Sequence, residues 1–227
     1  MIYAEQSLIS FGFWLLPLKW GVFMLPVITI ARQFGSHGHN VGIKLAEKLG
    51  VKYFDKELIA MAAKQSGLSE EICNQADEKA GNSLLYSMVM GNYPFGAHFT
   101  GMNDMPINDK LFILQTDIIK KAAEEGPCVI IGRCGSYILR DNPNVFRIFI
   151  HAPAEQRAKW AVETGQTTEK KALDFITKKD KQRANYYNFY SNKRWDDLNN
   201  YNLTIDTGVF SVDEAVDVII EAINRLG

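Results

Sequence analysis

The sequence predicts an α/β fold, a parallel sheet covered by helices on both faces, and three observations carry that prediction. Short apolar runs rich in β-branched residues alternate with longer segments of helical spacing. Where the periodicity is clear the connections are short, the pattern of βαβ units. The first run, residues 27–31, leads into the glycine-rich turn RQFGSHGHN and then an amphipathic helix. A strand, a glycine-rich turn and a helix, in that order, is how such proteins hold phosphate.

The turn is built for an anion. Gly35, Gly38 and Gly42 let the backbone bend tightly and leave successive N–H groups free to converge, with Ser36 and Asn40 beside them. The following helix carries Val41, Leu45, Ala46 and Leu49 on one face. Its N-terminus adds roughly half a positive charge toward the same point. The P-loop pattern Gly-x4-Gly-Lys-Ser/Thr does not occur; where the lysine would fall the chain offers His39 and Asn40. A turn of this kind, taken alone, also suits simple close packing, so later stretches must decide.

Residues 51–54 read as a second strand ending at Asp55, and residues 56–63 have helical spacing. Ser69 caps a further helix through Ala80, with Glu70 and Glu71 in its favoured first turn. Residues 81–108 lack steady periodicity and suit either a cover over a site or a surface loop packing its own aromatics. Residues 109–125 are helical, ended by Gly126 and Pro127; residues 128–131 are a buried strand. That strand delivers Arg133 to the carboxyl edge of the sheet, where ligands of open α/β folds collect. Residues 145–151 form another strand, followed by the helix opening APAEQRAKWAVE. In residues 168–195, Asp180, Arg183 and Tyr187 share a helical face among Lys178, Lys179, Lys181, Lys193 and Arg194. Residues 201–206 are the last strand, and residues 212–226 a closing amphipathic helix. There Ser211 and Glu214 have the spacing of a capping box.

The chain has 227 residues, 47% of them apolar, and a net charge of −1, which suits one domain with a helical insertion. A near-neutral chain has no global basic field, so nucleic acid is not an expected partner. Cys73, Cys128 and Cys134 show neither disulfide nor metal-ligand spacing, which fits a reducing, cytoplasmic setting. His37 and His39 have no third ligand, and no metal centre is predicted there. Residues 8–25 are apolar enough to suggest a membrane anchor or uncleaved signal, but Pro17 and Lys19 interrupt them. The central strand begins at about Pro26, too close for a bilayer span to precede it. The domain is therefore expected to occupy residues 24–227, with residues 1–23 an apolar extension that is either an upstream artefact or an anchor. The oligomeric state is silent.

Four stretches together resemble the cytidylate kinase-like family of P-loop nucleoside monophosphate kinase relatives. They are ITIARQFGSHGHNVGIKLAEKLGVKYFDKELI (28–59), PCVIIGRCGSYIL (127–139), FRIFIHAPAEQRA (146–158) and KKDKQRANYYNFYSNKRWDDLNNYNLTIDT (178–207). The resemblance implies a three-layer P-loop fold with an inserted helical acceptor region and a C-terminal lid. It implies phosphoryl transfer from ATP, with Mg2+, to a small-molecule acceptor such as CMP or dCMP. Arg32, Arg133, Arg183 and Asp180 are then the expected catalytic residues. Gly35, Ser36, His37, Gly38, His39, Asn40 and Arg157 would hold the donor. Ser36 or Asn40 could supply a magnesium-side oxygen, and Asp55 and Asp180 are acidic candidates for orienting metal or acceptor. The chain departs from those kinases at the loop lysine, at Ile131 where they carry a strand-end acid, and at Cys134 where they carry an aspartate. The missing lysine and strand-end acid favour a rival reading, a nucleotide-binding regulator that has lost transfer, whereas the lid cluster favours an enzyme; Ile131 and Cys134 together weaken a specific claim for CMP.

Overall fold

The computed structural model describes residues 15–18, 21–55 and 107–225. A small antiparallel hairpin, β1 (Leu15–Leu18) and β2 (Gly21–Met24), precedes the main sheet and pairs only with itself among the described residues. The apolar stretch before Pro26 thus contains two extended segments. No described helix is long and apolar enough to cross a membrane.

The main sheet is parallel throughout and has the order β4-β5-β3-β6-β7. Its strands are β3 (Val27–Arg32), β4 (Lys52–Phe54), β5 (Cys128–Ile131), β6 (Val145–His151) and β7 (Leu203–Asp206). Ile28, Ile30, Val129, Ile131 and Ile148 are fully buried, as expected for strands covered on both faces. Burying each such side chain stabilises the fold by about 1.5–3 kcal/mol.

Alternation along β3 assigns the two faces. Ile28 and Ile30 pack with Val41 and Leu45 of α1 (Gly38–Leu49) and with Val216 and Ile219 of the last helix, Val212–Asn224. Val27 and Ala31 turn the other way, toward Leu111 and Ile118 of α2 (Ile107–Glu125) and Tyr187 of the long helix Ala172–Ser191. Between them come the short α3 (Gly135–Ile138) and α4 (Ala154–Glu163), so the long helix is α5 and the last is α6. Ser211 and Glu214 cap α6 reciprocally, as the spacing predicts.

Strand order places the site. The connection after β3 runs to the edge strand β4, whereas that after β5 crosses to β6 on the other side. Adjacent strands whose continuations leave in opposite directions open a crevice at their carboxyl ends. Some boundaries differ from expectation. Helix α2 starts at Ile107, not Asp109, taking two residues from the expected loop. Strand β7 starts at Leu203, because Tyr201 still closes a 3-10 turn over Leu198–Asn200, its amide donating to the Leu198 carbonyl at 3.0 Å. Helix α6 ends at Asn224. The helices expected at 56–63 and 69–80, and nearly all of the 81–108 stretch, lie outside the described residues.

Candidate functional site

The turn after β3 is tied down at every level. The amide of Gln33 bonds the carbonyl of Ile150 at 3.0 Å. Gly35 has φ 75°, and a Cβ there would lie 3.0 Å from the Arg157 carbonyl oxygen. His37, the residue before α1, is also left-handed at φ 55°. Its ring meets Trp160 edge-on. A Cβ on Gly38 would sit 2.5 Å from the Cβ of Arg32, so only glycine lets the helix start so close to the strand. Ser36 is fully buried, and its hydroxyl donates to the carbonyls of Gln33 (2.9 Å) and Ile150 (3.2 Å). The expected magnesium-side role of Ser36 does not fit this geometry, because the hydroxyl points into the sheet.

Helix α5 grips the turn from the far side. The Phe34 amide donates to Asp180 Oδ1 at 2.7 Å, and the Phe34 carbonyl accepts from Arg157 Nη1 at 3.0 Å. Arg157 Nη1 also reaches Asp180 Oδ2 at 2.6 Å, while its Nε donates to the Ala152 carbonyl at 2.9 Å. Arg157 is buried, so it is neither a solvent-facing helix charge nor an open donor-side group. The Phe34 ring fills the space between Trp160 and Phe175, both edge-on. One turn along α5, Arg183 lies over that ring at 5.5 Å and donates to the Arg32 carbonyl at 2.9 Å.

The end of β5 supplies the opposite wall. Gly132, Arg133 and Cys134 have φ of 83°, 56° and 55°, three left-handed residues in a row. For Arg and Cys this conformation is strained, and such strain concentrates at sites. A Cβ on Gly132 would fall 1.9 Å from Arg32 Nη1, so the glycine makes room for that guanidinium. Beside it Asp55, buried at the end of β4, accepts from Arg32 at 3.4 Å and contacts His39 Nε2 at 2.9 Å.

These walls enclose a cavity of about 270 Å³. Its charged lining is Arg32, Arg133, Lys179, Arg183 and Asp55, four cations to one carboxylate among the described residues. Burial lowers the pKa of Arg183 to about 10, with the Arg32 charge adding to the effect and Asp180 and Asp55 opposing it. Burial likewise lowers Arg32 and Arg133 from the ordinary guanidinium value. Cations so desolvated, and close enough to repel, are relieved by an anion. The Cys134 thiol is pushed up by burial and is no thiolate nucleophile.

The structure therefore brings Arg32, Arg133 and Arg183 together, though 151 residues separate the first from the last. Gly35, Ser36, His37, Gly38, His39 and Asn40 form the adjoining turn and do not line the cavity. The turn's contribution to the lining is Arg32 and Phe34. Asp180 and Arg157 belong to the latch on Phe34. Lys178, Lys181, Lys193 and Arg194 are exposed, and Arg194 pairs with Asp196. Gln182, Tyr186 and Trp195 also line the cavity; Tyr186 belongs to the expected lid cluster, while Gln182 and Trp195 have no role expected from sequence. The signal was present for Gln182, because 179, 182, 183, 186 and 187 follow helical spacing on one face.

Kinases of this architecture use ATP with magnesium. The turn fits a phosphate chain, since the first-turn amides of α1 lack intrahelical acceptors by construction. A magnesium ion held by protein side chains fits less well. Asp55 is engaged by Arg32 and His39, Asp180 by Phe34 and Arg157, and the Ser36 hydroxyl is turned away. The described residues hold no group of three metal-ligating side chains. No step below is routed through a metal.

A parallel five-stranded sheet with a glycine-rich turn after its central strand and cations gathered at the carboxyl edge defines a P-loop α/β protein of the kinase type. The chain belongs to the cytidylate kinase-like family, whose family model matches residues 27–209. It is similar to a crystal structure of an uncharacterized protein from Eubacterium ventriosum, at 32% identity and TM-score 0.63. That match covers 88% of this chain and 98% of the other. It also shares its fold with a shikimate kinase from Bacteroides thetaiotaomicron, at 12% identity and TM-score 0.51, covering 87% and 97% of the two chains. No curated protein matches.

Proposed function

We propose that the protein is an ATP-dependent phosphotransferase whose acceptor is a nucleoside monophosphate such as CMP or dCMP, or a similar small molecule. The observation that carries this reading is the convergence of Arg32, Arg133 and Arg183, with Lys179, on one cavity beside the glycine-rich turn. Phosphoryl transfer needs little covalent help from protein, and its charge develops on peripheral oxygens. Guanidinium groups held rigidly before substrate arrives stabilise that charge without reorganising, most effectively where water is excluded. In this reading the turn and the first-turn amides of α1, including His39 and Asn40, take the donor phosphates. The cavity takes the acceptor. Arg32 stands between the two, and the latch through Asp180 and Arg157 keeps α5 on the turn so that Arg183 stays in place.

The test is a coupled ATP-consumption assay across CMP, dCMP, UMP and AMP, run beside calorimetric titration with ATP. Turnover with at least one acceptor is expected. A second reading, a nucleotide-binding regulator, is favoured by His39 at the lysine position and Ile131 at the strand end. ATP binding without turnover for any acceptor would select it. No heat with ATP on folded protein would overturn both.

A further inference from the structure

A second cavity, of about 230 Å³, is lined by the end of α3 and by the segment that follows α5. Its charged lining is Arg140, Arg147 and Lys193, with no carboxylate among the described residues. It shares Ser136 and Tyr187 with the larger cavity but none of that cavity's cations.

Each cation is held differently. Arg147 leaves β6 toward α3, where Nε donates to the carbonyl of Ser136 (3.4 Å) and Nη2 to those of Leu139 (3.3 Å) and Arg140 (3.1 Å). These bonds fix the guanidinium among residues that line the cavity. Its Nη1 makes no hydrogen bond among the described residues and is not sealed from solvent, so a ligand can reach it. Arg140 lies over the Tyr137 ring at 4.4 Å and donates to the Tyr137 carbonyl at 3.1 Å. Its pairing with Asp141, at 3.5 Å, is exposed on both sides and therefore weak. The Lys193 ammonium has neither an ion pair nor a hydrogen bond among the described residues. Capping the end of α3 accounts for Arg147 alone; Arg140 and Lys193 bring charge to the same concavity from two other segments. A cleft lined by one sign of charge concentrates ions of the other sign.

The geometry points to a second anion site, separate from the cavity beside the glycine-rich turn, that takes a compact phosphate-bearing metabolite with its phosphate against Arg147 and Lys193. Three positive charges without a carboxylate among them match a multiply charged phosphate ester better than a single carboxylate, and charge-assisted bonds to such a group are the strong ones. The ligand is compact because the cavity is smaller than the roughly 300–1,000 Å³ of pockets for drug-sized molecules. The site stands whether or not the chain transfers phosphate.

The test is calorimetry of the full chain with pyrophosphate, a compact multivalent phosphate, at low ionic strength. Wild type should bind two equivalents, one at each group of cations. The double variant Arg140→Gln/Lys193→Gln removes two exposed cations. It should keep the wild-type circular dichroism and one equivalent, and bind the other about tenfold or more weakly. Arg133→Ala should weaken the opposite equivalent and leave this one. Crystals of wild type soaked in tungstate should show the ion beside Arg147 Nη1. A single equivalent weakened by the double variant alone would support this site and count against anion binding at the larger cavity. A single equivalent weakened by Arg133→Ala alone would overturn the proposal. So would an unaltered isotherm for the double variant, no binding by wild type, or no tungstate beside Arg147 in wild type, the last irrespective of how any variant folds.

Discussion

Asp180 is the residue whose removal tests the architecture of the site most directly. Its carboxylate joins the Phe34 amide at 2.7 Å to Arg157 at 2.6 Å, and the two side chains of the pair are 16% and 8% exposed. Taking one partner from a buried ion pair costs about 3–5 kcal/mol. Arg157 keeps the carbonyls of Ala152 and Phe34 as acceptors, which reduces the loss, while the orphaned Phe34 amide adds to it. Asp180→Ala should therefore destabilise by about 3 kcal/mol, or roughly 6–12 °C in melting temperature for a chain of this size. Asp180→Asn should cost less. It can still accept from Phe34, but its amide then presents a donor to a donor at Arg157. Urea denaturation of Asp180→Ala, Arg157→Met and the double variant gives the coupling energy, expected at about 1 kcal/mol or more. An Asp180→Ala protein within about 0.5 kcal/mol of wild type would refute the latch, because only an exposed carboxylate could be lost so cheaply.

Three further outcomes follow from the same geometry. Gly132→Ala must hold a left-handed conformation and displace Arg32, whose Nη1 stands 1.9 Å from the new Cβ. It should cost about 1–2 kcal/mol from the conformation alone, visible in denaturation, and lower turnover as well. Arg133→Ala should lower kcat/KM by about 2–4 kcal/mol of transition-state stabilisation, on the scale of losing one preorganised donor, with the fold intact by circular dichroism. Unchanged kinetics would remove Arg133 from the site. At α6, the Ser211 backbone and side chain hold Glu214 below its ordinary pKa of 4.5. Its contribution is therefore full above that value and disappears as pH falls through the lower folded value. The melting deficit of Glu214→Gln should close on acidification, while Ser211→Ala should cost about 1 kcal/mol at neutral pH.

Much of the fold was legible because its signals are local. The runs 128–131 and 145–151 coincide with β5 and β6, and the Ser211 box caps α6, since strand burial, helix spacing and caps are fixed by near neighbours. The glycines of the turn were readable as a phosphate-type bend, and the four stretches placed the chain in its family. The roles of Phe34, Arg157 and Asp180 were not readable, because 146 residues separate Phe34 from the acid on its amide. A charge run on α5 looks the same in sequence whether its side chains face water or a buried turn. Lys179 and Arg183 reach the cavity while Lys178 and Lys181 stay in solvent, a choice made by how α5 docks on the sheet.

The sequence by itself determined the strands, the helices, the bend that suits phosphate and the basic residues available to serve it. Only the tertiary structure decided which of those bases meet, that Ser36 turns its hydroxyl inward, and that Asp180 and Arg157 close on Phe34. The reason is physical. Backbone preferences act over a few residues, whereas burial, charge repulsion and hydrogen-bond satisfaction depend on what folding brings alongside.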